Sequence, residues 1–226
     1  MTEPLDDTTL DRIASGTVAR YRRRFLEHGY GARALGWGTR EQQQHRFEQT
    51  LLGPIDIAGR SVLDIGCGFG DYRDFLRDAV PSAGRYRGWD VCPDLVAEAT
   101  RRHVHDDGAT FEVRNLMAAE PSSRVAPVAD IGVMLGVLNF NLEGQADNYE
   151  YSALALRRAW ALVETALIVD FLSSARTAAY RREDWVFHHD PSSMLALALA
   201  LSPRVTLKHD YRPIPQREFM LFIERE

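Results

Sequence analysis

The run Val62-Leu63-Asp64-Ile65-Gly66-Cys67-Gly68-Phe69-Gly70 constrains this chain more than any other stretch. Its first residues have the β-branched and leucine content of a buried strand, and three closely spaced glycines carry the backbone from there into a helical stretch. Strand, glycine turn and helix together build a nucleotide-binding crevice. Glycine allows the tight turn, at times at positive φ, and the absence of a Cβ lets a ligand approach the amides. A structural turn uses the same residues, so the spacing has to decide. A dinucleotide fold places its glycines first, third and sixth, whereas here they stand first, third and fifth, with Asp71 in the sixth place. An acid beside a helix N-terminus faces a pyrophosphate badly. Asp64, two residues ahead of the first glycine, is placed to attract a cationic ligand or to orient the loop. A sulfonium with a free amino group suits such a site.

Around this loop the texture is that of βαβ units, with short apolar runs alternating with helical stretches. Strands are expected at 61–65, 85–90, 110–114, 128–135, 166–171, 204–208 and 218–223, seven in all. Helices fit between them at 71–79, 93–103, 148–162 and 191–201. Ahead of the first strand, Leu10, Ile13, Val18, Tyr21 and Phe25 recur at helical spacing over 8–27, and Gly29 is placed to end that helix. After a glycine-rich joint, Thr39 and Gln42 form a capping-box pattern for a second helix that carries Phe47, Leu51 and Leu52 inward. The organisation expected is one domain over 1–226, a helical cap at 1–58 on an α/β core at 59–226.

The segment Asp64-Ile65-Gly66-Cys67-Gly68-Phe69-Gly70 resembles the first motif of class I S-adenosylmethionine-dependent methyltransferases. The resemblance extends from about Tyr21 to Phe222. It implies a Rossmann-like α/β fold, a seven-stranded mostly parallel sheet whose last strand is antiparallel and forms an edge hairpin with the sixth through 211–216. It implies S-adenosyl-L-methionine as cofactor, held at Asp64, Gly66, Cys67, Gly68 and Gly70. Asp90, in Trp89-Asp90-Val91, stands where the family has a carboxylate on the ribose hydroxyls, a task for which a bidentate acceptor is suited. Val91 lies beside it. Asn115, before Leu116, replaces the acid that often meets the adenine amino group; its side-chain carbonyl can accept that bond, and it serves equally as a turn residue. Leu135 and Gly136, after the fourth strand, would line the methionine side, and Asn139 would hold cofactor or substrate.

Outside these motifs each candidate has two readings. Trp37, between Gly36 and Gly38, is either a lid over the ligand or a core wedge. Arg46 is either a partner for the cofactor carboxylate or an exposed helix arginine. Histidine is the obvious general base near neutral pH, yet His188 and His189 sit in Phe187-His188-His189-Asp190 without motif support, as a loop pair that shapes the pocket or faces solvent. No spaced ligand set completes a metal site with them. Tyr149 and Tyr151 are candidates for a substrate wall, and Tyr149 for catalysis.

A net charge of -5 argues against phosphate-driven affinity for nucleic acid. The pairs and triplets Arg22-Arg23-Arg24, Arg101-Arg102, Arg157-Arg158 and Arg181-Arg182 lie on separate helices and read as solvated faces. No segment approaches the length of a membrane span. The acidic N-terminus is unlike a secretory signal, and two cysteines fit a reducing cytoplasm. The expected activity is methyl transfer to oxygen or nitrogen of a small molecule. A nicotinamide-dependent oxidoreductase and a non-catalytic binding protein are the alternatives.

Overall fold

Both faces of β1 (Val62–Ile65) are buried, Leu63 and Ile65 against one layer and Val62 against the other, as in a central parallel strand. The computed structural model describes residues 5–118, 126–142, 144–175, 177–178, 183–213 and 216–226. Three helices precede β1: α1 (Asp7–His28), α2 (Ala32–Leu35) and α3 (Arg40–Leu51). After it come α4 (Asp71–Ala79), β2 (Tyr86–Asp90), α5 (Pro93–Arg102), β3 (Ala109–Val113) and β4 (Ala129–Met134). The chain closes with α6 (Asn148–Ala161), β5 (Val163–Leu172), α7 (Pro191–Leu199), β6 (Arg204–Lys208) and β7 (Glu218–Glu224).

The strands form one sheet in the order β3-β2-β1-β4-β5-β7-β6, and only β7 opposes its neighbours, pairing antiparallel with β5 and β6. From β1 the chain winds outward to β2 and β3, then returns to place β4 on the other side of β1. Winding reverses there, so a crevice opens outside the carboxyl ends of β1 and β4. On one face, Leu63, Ile65, Leu167 and Leu221 pack against Leu156 and Ala159 of α6 and Met194 and Ala198 of α7. On the other, Val62, Ile131, Ile168 and Phe222 pack against Phe47 of α3 and Tyr72 and Leu76 of α4.

Several expected features differ. A one-turn helix, α2, forms inside the glycine-rich joint and closes on Gly36 in the left-handed region. β5 begins at Val163 instead of 166: polar Glu164 and Thr165 disguise its start, and the Thr165 hydroxyl donates to the Asp130 carbonyl at 2.9 Å. Leu52 does not point inward; it caps α3 and is exposed, while Leu51 is half-buried. Arg181-Arg182 and residues 214–215 of the expected β6–β7 link lie outside the described residues. Among the described residues, no helix is long and apolar enough to cross a membrane.

Thr39 caps α3 as the sequence indicates: its hydroxyl accepts from the Gln42 amide at 3.2 Å, and the Gln42 side chain accepts from the Thr39 amide at 3.1 Å. Thr39→Ala removes one acceptor from an open helix end and is expected to cost about 1 kcal/mol. Thermal unfolding should show a midpoint lowered by roughly 2–4 °C; an unchanged midpoint would mean that the cap carries no weight.

Candidate functional site

At the carboxyl edge of the sheet, all three loop glycines have positive φ: 81° at Gly66, 54° at Gly68 and 77° at Gly70. The one-three-five spacing is therefore a backbone requirement, since side chains rarely adopt that region. The Gly66 and Cys67 amides donate to the Trp89 carbonyl at 2.7 and 3.0 Å, and the Gly68 amide donates to Asp90 Oδ2 at 3.0 Å. The other oxygen of Asp90 accepts from the Cys92 amide at 2.8 Å. Asp90 thus braces the loop from the end of β2. It is buried, no cation pairs with it among the described residues, and burial raises its pKa against the pull of the Cys92 and Gly68 amides.

Asp71, the acid in the sixth place, is engaged by the N-terminal segment. It accepts from the Tyr30 hydroxyl at 2.9 Å, from Gln43 Nε2 at 3.1 Å and from Arg102 Nη1 at 2.9 Å. Arg102 also donates to the Phe69 carbonyl at 2.7 Å and lies over the Tyr30 ring. This node ties the cap to the glycine loop.

The resulting cleft holds a cavity of about 140 Å³ at the carboxyl edge of the sheet. Gly66, Gly68, Asp90, Val91, Asn115, Leu116, Leu135, Gly136, Trp37 and Tyr151 all line it. Asn115 Oδ1 accepts from the Met117 amide at 2.9 Å, so this residue both forms the turn and faces the cleft. Trp37 is at once wedge and wall: a Cβ on Gly136, whose φ is 73°, would stand 2.7 Å from the indole. The Gly136 amide donates to Asp170 Oδ1 at 2.5 Å, which fixes the turn after β4. Burial lifts Asp170 to about 6.

Other candidates lie elsewhere. Asp64 and Cys67 are buried beneath the loop and Gly70 caps α4; none of the three lines the cleft. The Tyr86 hydroxyl donates to Asp64, and burial pushes that carboxyl up to about 7. Neither reading of Arg46 matches its position. It is buried, its guanidinium is engaged by Glu218, and it lies 4.8 Å from the Trp37 ring centroid. Asn139 accepts from the Leu172 amide at 3.0 Å and lines a second cavity, not the cleft.

Tyr149 is a structural strut: its hydroxyl accepts from the Asp190 amide at 3.0 Å, and it lines neither cavity. His189 faces neither solvent nor pocket. It is fully buried among Phe171, Phe187 and Tyr149, its Nε2 lies 3.2 Å from the Ser152 hydroxyl, and burial, helped by His188, lowers it to about 3. His188 is half-buried outside both cavities.

The sequence reading missed the wall that α1 supplies through Ile13, Ala14, Thr17 and Tyr21. Its apolar stripe was visible, but the surface it covers was not. It also missed the role of Asp170, although an acid inside Ile168-Val169-Asp170-Phe171 was a local signal.

No family model and no curated protein matches the sequence. Among solved structures, the chain is similar to the magnesium protoporphyrin IX methyltransferase of Synechocystis PCC 6803. With S-adenosylhomocysteine bound, that protein is 17% identical over 98% of this chain and 100% of the other, at a TM-score of 0.62. Its S-adenosylmethionine complex is 19% identical over 98% and 99%, at 0.58. A small RNA methyltransferase is 22% identical over 81% of this chain and 25% of its own length, at 0.59. The fold is that of the class I methyltransferases.

A buried carboxyl with a raised pKa binds its proton more tightly in the folded than in the unfolded chain. Its contribution is full below the ordinary value of 3.8 and is lost as pH rises through about 7. Asp64→Asn keeps an acceptor for Tyr86 and removes this titration. Chemical denaturation is expected to show the variant gaining on the wild type, by on the order of 2–4 kcal/mol, between pH 4 and 8. A pH-independent difference would contradict the buried-charge account.

Proposed function

We propose that this chain is an S-adenosylmethionine-dependent methyltransferase acting on an oxygen or nitrogen of a small molecule. The observation that carries the reading is Asp90: a buried carboxylate, without a cation among the described residues, at the lip of an apolar cleft and beside a loop that only glycines can form. Such a group is stabilised by hydroxyl donors, and a ribose presents two. The class I fold and the S-adenosyl ligands of the Synechocystis enzyme point the same way.

In this reading Asp90 holds the ribose. Val91, Asn115 and Leu116 enclose the adenine, with the free lone pair of Asn115 Oδ1 available to its amino group. Leu135, Gly136 and Trp37 face the methionine end. S-adenosylmethionine, when bound, would supply a methyl group on a positively charged sulfur for an acceptor lone pair, with S-adenosylhomocysteine as the leaving group. The protein's share is positioning and exclusion of water. Trp37 and the α1 residues Ile13 and Tyr21 close the cleft from above, and Tyr151 bounds it on the α6 side. With His189 and Tyr149 engaged in the core, no histidine among the described residues lines the cleft as a base. This favours acceptors that need none, or that lose a proton to solvent.

Calorimetry against S-adenosylmethionine, S-adenosylhomocysteine and NADH tests the assignment. The first two should bind, and Asp90→Ala should weaken both by about 1–3 kcal/mol, roughly 5- to 150-fold. NADH binding without a response to either S-adenosyl compound would instead favour the oxidoreductase.

A further inference from the structure

Beyond Gly136 the cleft abuts a second cavity, and Tyr21, Leu35, Trp37, Gly136 and Phe140 line both. In a chain of net charge -5, this cavity is lined, among the described residues, by Arg20, Arg23, Arg24 and Arg46 and by no acid. Of these four, only Arg46 has a carboxylate partner among the described residues, Glu218. Arg24 donates to the Ala34 and Arg33 carbonyls. Arg20 has neither: its guanidinium carbon sits 4.4 Å from the Phe140 ring centroid and 5.9 Å from that of Trp185, and no carboxylate pairs with it among the described residues. Partial burial, with repulsion from Arg23 and Arg24, pulls its pKa below the usual guanidinium range. A partly desolvated cation with no carboxylate partner among the described residues, flanked by like charges, is an arrangement that an incoming anion relieves.

Resting on the methyltransferase reading, we infer that the second cavity is the acceptor site and that it selects a flat aromatic molecule bearing a carboxylate. The guanidinium of Arg20, held over Phe140, forms a fork for the two carboxylate oxygens, while the Trp185 and Trp37 rings that line the cavity receive an aromatic body. The wall shared at Gly136 brings that body next to the methionine end of the cleft, where transfer takes place. Arg20, Arg23 and Arg24 stand at i, i+3 and i+4 on α1, so one helix face supplies the positive lining. The run Arg22-Arg23-Arg24 is thus divided in use: Arg22 pairs with Asp94 at 2.8 Å outside the cavity, Arg24 lines it, and Arg23 stands exposed at its rim.

The test is calorimetry in the presence of saturating S-adenosylhomocysteine. Benzoate, phenylacetate, cinnamate, 1-naphthoate and indole-3-acetate are each titrated beside the corresponding amide. At least one acid should bind tenfold or more tightly than its amide, and Arg20→Gln should abolish that margin while leaving the affinity for S-adenosylhomocysteine unchanged. The wild-type comparison of acid with amide needs no variant and stands even if Arg20→Gln misfolds. Equal affinity of acid and amide across the panel, or a margin that survives in a folded Arg20→Gln, overturns the inference. Lack of S-adenosylhomocysteine binding in the same cell overturns the methyltransferase reading and this inference with it, so the two failures are told apart.

Discussion

The hydrogen bond from the Gly68 amide to Asp90 joins the turn after β1 to the end of β2, and the geometry of the cleft depends on it. The loop can present its amide in that direction only because Gly66, Gly68 and Gly70 all occupy the left-handed region. The carboxylate in turn is held by the Gly68 and Cys92 amides and lines the cleft. A side chain at Gly68 would also run into Leu35 at 2.9 Å, so the N-terminal segment is fitted to the same atom that the loop leaves bare.

That segment is part of the site. Tyr30 and Gln43 reach Asp71, Trp37 lies on Gly136, and α1 spans the cleft with Ile13 and Tyr21 while turning Arg20 and Arg24 toward the adjoining cavity. A buried polar cluster anchors its far side: Arg46 of α3 pairs with Glu218 of β7, and burial raises Glu218 to about 7 despite that cation. Removing one member of such a pair leaves an uncompensated buried charge, so the cluster resists piecemeal change. The cleft and the adjoining cavity therefore share walls at Tyr21, Leu35 and Trp37 and one set of anchors.

What the sequence discloses here is what is local. The glycine loop, Asp90, the Thr39–Gln42 capping box and the limits of β6 are each written within a few consecutive residues, where backbone preference and hydrogen-bonding chemistry act directly. The one-three-five spacing separates two ligand classes for the same reason. Arg46 and Glu218 are 172 positions apart, and nothing near either residue announces the other. His189 is similar, since its neighbours in sequence suggest a loop while Phe171, Tyr149 and Ser152 bury it. The stripe on α1 shows that one face is covered, but only the tertiary fold turns that face into the wall of a cleft. Asp170 lay between these cases: its place in an apolar strand marked it as unusual, and its task at Gly136 required the structure.

The central claim is that the cleft bounded by the glycine loop, Asp90 and Gly136 holds an S-adenosyl ligand. A crystal structure of the protein grown with S-adenosylhomocysteine tests it most directly. The account predicts ribose hydroxyls on Asp90, adenine between Val91 and Leu116 with its amino group at Asn115, and the sulfur toward Gly136 and the arginine-lined cavity. Density for the ligand elsewhere, or a ribose that leaves Asp90 without a hydroxyl partner, would contradict it.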